Sequence, residues 1–281
     1  MEIITLTDEN IADFSAYVDE DMQDEMSRIF YRGIGAIDDS DTPVGVLIYE
    51  LKDCESEEDT KSRIRVFKCE NEDVKRLLMK EYAESIEEEE VARSFYETED
   101  EHMSRDLREN GFSLEVSEAL DVVITIEDIK GISKLIRVKK FPPHIMSLSE
   151  ASVTQYRAFV KNCLFKGRRG LLDDLAYLPM NWFEKDISSC AVTDDKIDGV
   201  LLVKKAPSGM LFALLFTAFG PDYKTNLGLL MAYTAQNIIE KYPEDTRVVI
   251  RRHNAMVKNL TDKFFAQRKG SDVFSGNRSE A

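Results

Sequence analysis

Two stretches of this sequence share one pattern: an apolar segment, a short acidic turn and a second apolar segment. They are GAIDDSDTPVGVLIY at residues 35–49 and CAVTDDKIDGVLLV at residues 190–203. Each predicts a β-hairpin, because strand-forming residues flank a run of turn-forming residues. The order of predicted elements around both hairpins is the same, so a fold-level unit of about 130 residues occurs twice, as in a duplicated domain. A chain of 281 residues is long enough for two such domains.

Each half alternates between strands and helices, with the hairpin near its start. This order predicts the α/β class, in the form of a mixed (α+β) sheet that is partly parallel and has helices on both faces. Residues 8–29 predict one long helix. The continuous apolar run at residues 210–219 (MLFALLFTAF) predicts a central strand buried on both faces, and residues 225–242 predict the helix that follows it.

The predicted domain boundaries follow from composition. We expect an N-terminal domain at residues 1–130 and a C-terminal domain at residues 148–267. Residues 131–147 are basic and contain Pro142-Pro143, which predicts a linker. Residues 268–281 are polar and contain glycine and serine, which predicts a flexible tail.

The charge is divided unevenly between the halves. Residues 1–130 contain 38 acidic and 14 basic residues, a net charge of −24, whereas the remainder carries +8. The field of the acidic half repels phosphates, so we expect neither nucleic acid nor an anionic membrane as its partner. The basic half suits an anionic ligand. A second interpretation stays open, in which the two halves simply complement each other in charge.

Cysteine usage and hydropathy indicate a cytoplasmic protein. The four cysteines are scattered and form no CxxC pair or Cys/His cluster, so we expect reduced thiols and no metal site. No apolar run approaches the roughly 18 residues of a membrane helix. The first residues are acidic and contain no basic segment of the kind that opens a secretory signal.

Several segments in this order resemble the GNAT fold, the acetyl-CoA-dependent N-acetyltransferase family, present twice. In the first half they are the hairpin at residues 36–47 and the segment LRENGF at residues 107–112. In the second half they are the hairpin up to Leu201, the buried strand up to Phe219 with the helix after it, and residues 254–260 (NAMVKNL). The last segment is similar to the family's N-x-x-A-x-x-L-Y motif.

The resemblance implies a site for acetyl-CoA in the second half. The family holds the CoA pyrophosphate with a Q/R-x-x-G-x-G/A loop at a helix start, where backbone N–H groups point at the anion. The matching stretch here is residues 220–229 (GPDYKTNLGL), which implies Lys224, Thr225, Asn226 and Gly228 as cofactor-binding residues. Asn254 is the fifth candidate, as a hydrogen-bonding partner of the pantetheine arm. Thr225 is alternatively an ordinary helix N-cap.

The sequence also departs from the family's pattern. Leucines replace the loop glycines in the second half, and the first half has acidic residues at Glu70, Glu72 and Asp73 where a pyrophosphate would lie. The family's general acid is a Tyr after the motif's Leu, but Leu260 is followed by Thr261, which is too weak an acid. The family closes its sheet with two further strands, and the part of the chain after residue 266 is short for two strands. The tail supplies one strand, or the first half lends one, or the second sheet is incomplete.

The resemblance implies two alternative functions. The first is an N-acyltransferase that moves an acetyl group from acetyl-CoA to a small-molecule or protein amine, with the C-terminal domain binding CoA. The second is a non-catalytic, GNAT-like binding or regulatory protein that has lost acetyl transfer, which the missing glycines and the missing Tyr favour. The sequence identifies no catalytic residue for either.

Overall fold

A computed structural model describes residues 1–52, 60–98, 105, 107–119, 121–165, 175–252, 255–265, 268 and 272–279. The chain forms two compact units. Unit 1 comprises Met1–Ala119 together with Ser271–Ala281, and unit 2 comprises Leu120–Gly270. No helix among the described residues is long and apolar enough to cross a bilayer.

Unit 1 is a seven-stranded mixed sheet with the strand order β1-β2-β3-β4-β5-β13-β6. Its strands are β1 (Glu2–Leu6), β2 (Tyr31–Ile37), β3 (Pro43–Lys52), β4 (Thr60–Cys69), β5 (Val91–Thr98), β6 (Ser113–Glu118) and β13 (Asp272–Ser279). Among these described strands, only β4 and β5 pair in parallel. The crossover between them contains helix α2 (Glu72–Glu88), whose apolar stripe covers one face of the sheet. A 3-10 turn at Ile11–Phe14 packs on the other face, and α1 (Glu20–Glu25) follows it.

Unit 2 is a six-stranded mixed sheet with the strand order β7-β12-β11-β10-β9-β8. Its strands are β7 (Asp121–Thr125), β8 (Ile145–Ser147), β9 (Ser189–Thr193), β10 (Lys196–Lys205), β11 (Leu211–Ala218) and β12 (Arg247–Arg251). Its helices are α3 (Ile126–Lys130), α4 (Ser133–Ile136), α5 (Val153–Phe165), α6 (Tyr223–Lys241) and α7 (Ala255–Phe264). Helices α5 and α6 pack in separate apolar clusters of the unit, so helices cover both faces.

The predicted domain boundaries are wrong because each sheet takes a strand from a distant part of the chain. The first segment of unit 1 ends at Ala119, and β7 pairs with β12 in unit 2. The predicted linker at residues 131–147 contains α4 and β8. The predicted flexible tail at residues 268–281 contains β13, which pairs with both β5 and β6. Two paired edges order this polar segment, since an unpaired edge leaves backbone groups without partners.

These two distant strand pairings also explain how both sheets are completed although the chain has few residues after residue 266. The tail supplies a strand to the first sheet, and residues 121–125 supply one to the second. Gly276 at the middle of β13 explains part of the tail's unusual composition. A Cβ there would lie 2.8 Å from Leu114 Cδ2, so glycine fits between the side chains of β6 and its neighbours.

Two predicted helices differ from the observed ones. The single helix expected over residues 8–29 is a 3-10 turn followed by α1, because Asp19 caps a new helix by accepting from the backbone N–H of Met22 at 2.9 Å. Helix α6 begins at Tyr223, two residues before the predicted start, with Asp222 at the N-cap position. Thr225 therefore lies inside the helix and is not its N-cap.

Candidate functional site

The parallel strands of unit 2 separate after a short paired stretch. β11 and β12 pair only over Leu211–Ala213 and Val248–Ile250. The next residue, Leu214, is a β-bulge, because Val203 of β10 pairs with Ala213 whereas Leu202 pairs with Leu215. β11 continues to Ala218 after β12 has ended. A bulge bends its strand, so the bulge at Leu214 marks the point where the pairing of the two strands ends.

An apolar cavity of about 80 Å³ lies at this divergence. Strand β11, helix α6 and helix α7 all contribute to its wall. The lining residues are Leu201, Ala213, Leu214, Phe216, Met231, Ile250, Arg251, Val257, Leu260, Thr261 and Phe265. Arg251 is held by Asp121, with its Nε and Nη2 donating to the two carboxylate oxygens at 3.0 and 3.2 Å. Among the described residues that line this apolar cavity, Arg251 is the one charged side chain, and it is in an ion pair.

The start of helix α6 directly follows β11 and has no side-chain cap. Gly220 has a φ of +83°, in the left-handed region that favours glycine, and turns the chain from the strand into the helix. The side chain of the N-cap residue, Asp222, accepts no hydrogen bond from the first N–H groups of the helix. Lys224 and Thr225 are exposed in this first turn. The helix dipole makes such an N-terminus attractive to an anion.

Two of the other predicted cofactor-binding residues, Asn226 and Gly228, are not placed to contact an anion at this helix start. Asn226 is buried, and its Oδ1 lies 3.2 Å from Nε2 of His144, so its amide is already engaged inside unit 2. Gly228 is exposed further along the helix, where an added Cβ would meet nothing within 4 Å, so no close approach requires glycine there. Asn254 lies outside the described residues. Lys224 and Thr225 thus remain as the candidates at the terminus.

Thr261 lies in the cavity wall, at the position where the family has its acidic Tyr. Its side chain is buried, and its hydroxyl donates to the carbonyl of Val257 at 2.8 Å. Hydrogen bonding to the carbonyl four residues earlier is the usual local partner of a threonine inside a helix. The hydroxyl proton is therefore used within α7 and is not directed at a ligand in the cavity.

Unit 1 has the same bulge at the equivalent place. Arg65 is the extra residue in β4, and the parallel pairing of β4 with β5 ends just before it, at Ile64 and Tyr96. The Arg65 guanidinium donates to the hydroxyl of Tyr31 at 2.9 Å and to the Glu50 carboxylate at 3.1 Å. Burial raises the pKa of Tyr31 to about 12, so its hydroxyl stays protonated around neutral pH. A charged network thus occupies the bulge that is apolar in unit 2.

The two units also differ just before the bulge, a difference that sequence reasoning missed. In unit 1, Ser62 and Ser94 pair across β4 and β5, and the hydroxyl of Tyr82 on α2 lies 2.9 and 2.8 Å from their Oγ atoms. All three side chains are fully buried. The corresponding strand pair of unit 2 is apolar, Leu211 with Val248.

The first turn of α2 is closed to anions in unit 1. The side chain of Asn71 accepts from the backbone N–H groups of Asp73 and Val74, each at 3.1 Å. Glu72 and Asp73 add negative charge to the same turn. A helix start that is capped by its own side chain and flanked by carboxylates is unfavourable for an anion. That this half does not bind a pyrophosphate stays a prediction.

The sequence matches no family model and no curated protein. Solved structures are similar to the whole chain. One is a tandem GNAT protein from the clavulanic acid biosynthesis pathway, without AcCoA, at 10% identity and a TM-score of 0.67, covering 100% of this chain and 98% of that one. A probable N-acyltransferase from Enterococcus faecalis has 11% identity and a TM-score of 0.52, covering 99% and 72%.

A third similar structure is the GCN5-related glucosamine N-acetyltransferase region of a fungal multi-domain GH3 β-N-acetylglucosaminidase. That structure has 9% identity and a TM-score of 0.60, and the match covers 98% of this chain. This chain spans only 38% of the length of the fungal one. Identities this low show the fold alone. The chain therefore has a tandem GNAT fold, with both units of the α/β class predicted from the sequence.

Proposed function

We propose that unit 2 binds acetyl-CoA at the divergence of β11 and β12 and transfers the acyl group to the amine of a small molecule or protein. The observation that carries this proposal is the bulge at Leu214, because it combines a strand edge beside which no described strand pairs, an apolar cavity and an uncapped helix start along one continuous stretch of chain. An acyl-CoA has an amide-containing arm between an acyl thioester and a pyrophosphate. Each of these three parts has a suitable partner in that stretch.

Each part of acetyl-CoA has its own proposed binding position on unit 2. The pantetheine amides suit the edge of β11 beyond Ala213, where no strand of the described chain pairs with it. The pyrophosphate suits the first turn of α6, with Lys224 as an additional cation. The cavity of about 80 Å³ suits a short acyl group. Sites that enclose a whole small molecule measure roughly 300–1,000 Å³, so most of the cofactor would lie along the surface.

The chemistry would be direct transfer. The unprotonated amine nitrogen attacks the thioester carbonyl carbon and the C–S bond breaks. The nitrogen then loses one proton to solvent, and the CoA sulfur leaves as a thiolate that takes one proton from solvent. No carboxylate, histidine or cysteine lines the cavity within the described chain, so positioning and backbone N–H groups would supply the catalysis. An unprotonated amine would be required, because no side chain in the cavity wall is suited to remove its proton.

Calorimetric titration of the full chain with acetyl-CoA and with CoA tests the proposal. Lys224→Ala should weaken binding about five- to tenfold, because it removes one phosphate contact. Met231→Trp should fill the cavity and abolish acetyl-CoA binding while affecting free CoA less. Lys196→Ala, which removes another exposed lysine of unit 2, is the matched control. Absence of any heat at millimolar acetyl-CoA would rule out the proposed site.

A second candidate function is CoA-ligand binding without catalysis. The observation that favours it is the Thr261 hydroxyl, which is bound to its own helix and leaves the departing thiolate without a side-chain acid. The two functions separate in a thiol-release assay with acetyl-CoA and a panel of primary amines. Binding with no amine-dependent release of CoA would support the non-catalytic function, and release that Met231→Trp abolishes would support transfer.

A further inference from the structure

Unit 2 contains a second concave site, a groove of about 620 Å³ between helix α5 and the segment that follows residue 175. It shares no residue with the cavity at Leu214. Helix α5 forms one wall and residues 175–185 form the other. The lining residues are Val153, Tyr156, Arg157, Val160, Lys161, Leu164, Leu175, Ala176, Tyr177, Leu178, Pro179, Met180, Asn181 and Lys185. Its volume lies in the range of sites that hold one small molecule.

The second wall is fixed to the helix. The hydroxyl of Tyr156 on α5 donates to the carbonyl of Leu178 at 3.3 Å. Leu175 and Met180 are buried and pack in the same apolar cluster as Tyr156. The backbone of Lys185 is also anchored, since its carbonyl accepts from the Ser147 hydroxyl at 2.8 Å. The described parts of the two walls are therefore held together by this hydrogen bond and by apolar packing.

The groove combines exposed apolar surface with positive charge. Val153 is 54% and Tyr177 is 66% exposed, which is high for large apolar side chains in a folded unit. Arg157 and Lys161 lie one turn apart on α5, and Lys185 lies on the other wall. No carboxylate is among the groove's lining residues in the described chain. Lys185 has an acidic neighbour on each side in the sequence. Asp186 has Lys241 as an ion-pair partner at 3.4 Å, and Glu184 accepts from the Tyr242 hydroxyl at 3.3 Å.

We infer that this groove binds a small amphipathic anion, a carboxylate or phosphate carried on an alkyl chain or an aromatic ring. The three cations select negative charge, and the apolar walls take up the hydrocarbon part. Because the groove is concave and has two facing walls, it suits one small molecule better than it suits a partner with a flat surface. This ligand site is separate from the proposed transfer site, so it stands or falls without acyl transfer.

Calorimetric titration of the full chain with decanoate tests the inference. Decanoate carries one carboxylate on an apolar chain, and decylammonium is the matched probe with the opposite charge. We expect saturable, one-to-one binding of decanoate and no comparable binding of decylammonium. Trp182, the only tryptophan in the chain, follows two lining residues and provides a local reporter. Its fluorescence should change with the same dissociation constant.

Two pairs of variants locate the binding. Val153→Glu places a carboxylate in the groove at the first position of α5, where negative charge suits the helix dipole, so the fold should be retained. It should abolish decanoate binding, whereas Thr154→Glu, at the exposed neighbouring position outside the lining, should not. Arg157→Gln with Lys161→Gln should weaken binding about tenfold. The control pair, Lys139→Gln with Lys140→Gln, removes the same charge elsewhere on unit 2.

Three results would overturn the inference. They are no saturable decanoate binding at millimolar concentration, equal affinity for decylammonium, and unchanged decanoate binding in Val153→Glu when circular dichroism shows a folded chain. None of them bears on acetyl-CoA binding, which is measured separately. Failure of the groove and failure of the transfer site are thus distinguishable.

Discussion

The buried hydroxyl of Tyr82 offers a direct test of how unit 1 closes its parallel strand pair. The Tyr82 hydroxyl has one hydrogen, so it donates to one of Ser62 and Ser94 and accepts from the other. Tyr82→Phe removes both hydrogen bonds and leaves two serine hydroxyls in a site that water does not reach. The aromatic ring, with its edge contact to Tyr49 at a centroid distance of 5.0 Å, stays in place.

The magnitude follows from the cost of buried polar groups without partners. Each costs about 1–3 kcal/mol when its partner is removed. Two such serines imply that Tyr82→Phe lowers the free energy of unfolding by about 2–4 kcal/mol, allowing for partial relaxation. That loss is large beside the roughly 5–15 kcal/mol that stabilises a typical domain. The matched control is Tyr17→Phe, whose half-exposed hydroxyl lies 3.1 Å from Glu70, and we expect it to cost less than about 1 kcal/mol.

The assay is hydrogen exchange of the amides in β4 and β5, read out by mass spectrometry and supported by urea unfolding. Replacing the partners as well, with Ser62→Ala and Ser94→Ala, should recover most of the lost stability, because an apolar group then faces an apolar group. The cycle isolates the coupling between the three hydroxyls. If Tyr82→Phe proves no more destabilising than Tyr17→Phe, or if the triple variant is the least stable of the series, the argument is refuted.

Two other predictions concern the strand exchange and a buried thiol. Deleting residues 271–281 removes a strand that pairs with β5 and β6. The backbone amides of β5 and β6 should then lose protection from hydrogen exchange, while those of β10 and β11 keep theirs. Equal protection of both sheets would contradict the pairing of β13 with the first sheet. Cys190 is fully buried, and burial raises the pKa of its thiol to about 12, so iodoacetamide should alkylate it near pH 8 only as fast as unit 2 opens; labelling as fast as in the denatured chain would contradict its burial.

The candidate site could be predicted from the sequence in part. The apolar run of β11 and the helix after it indicate where a phosphate-binding turn would lie, and Lys224 and Thr225 are in that turn. Asn226 is poorly placed to bind a phosphate. It lies one position after the exposed Thr225 on the helix, so its side chain points inward, toward His144. Helix rotation depends on the true start of α6, and the start depends on the turn at Gly220.

The bulges illustrate what local patterns do not contain. A bulge is a property of two strands in register, and neither Arg65 nor Leu214 differs in type from an ordinary strand residue. Likewise, Ser62 and Ser94 read as polar positions on two strands until the fold places Tyr82 between them. Pairing between distant residues determines such features, so a single sequence does not reveal them.

The sequence by itself determined the local elements and their repeated order. Its hairpins, buried strand and long helices follow from apolar periodicity and turn residues, which act within a few positions, and their order is enough to predict two tandem mixed sheets. The tertiary structure alone decided which sheet each strand joins. β7 has a strand-like sequence, DVVIT, whereas the sequence of β13 is polar and weakly strand-like. Both pair with residues more than 100 positions away, such as Arg247 opposite Thr125 and Phe274 opposite Thr98. Strand pairing is satisfied by whichever edge is open in space, and adjacency in the sequence does not determine that edge.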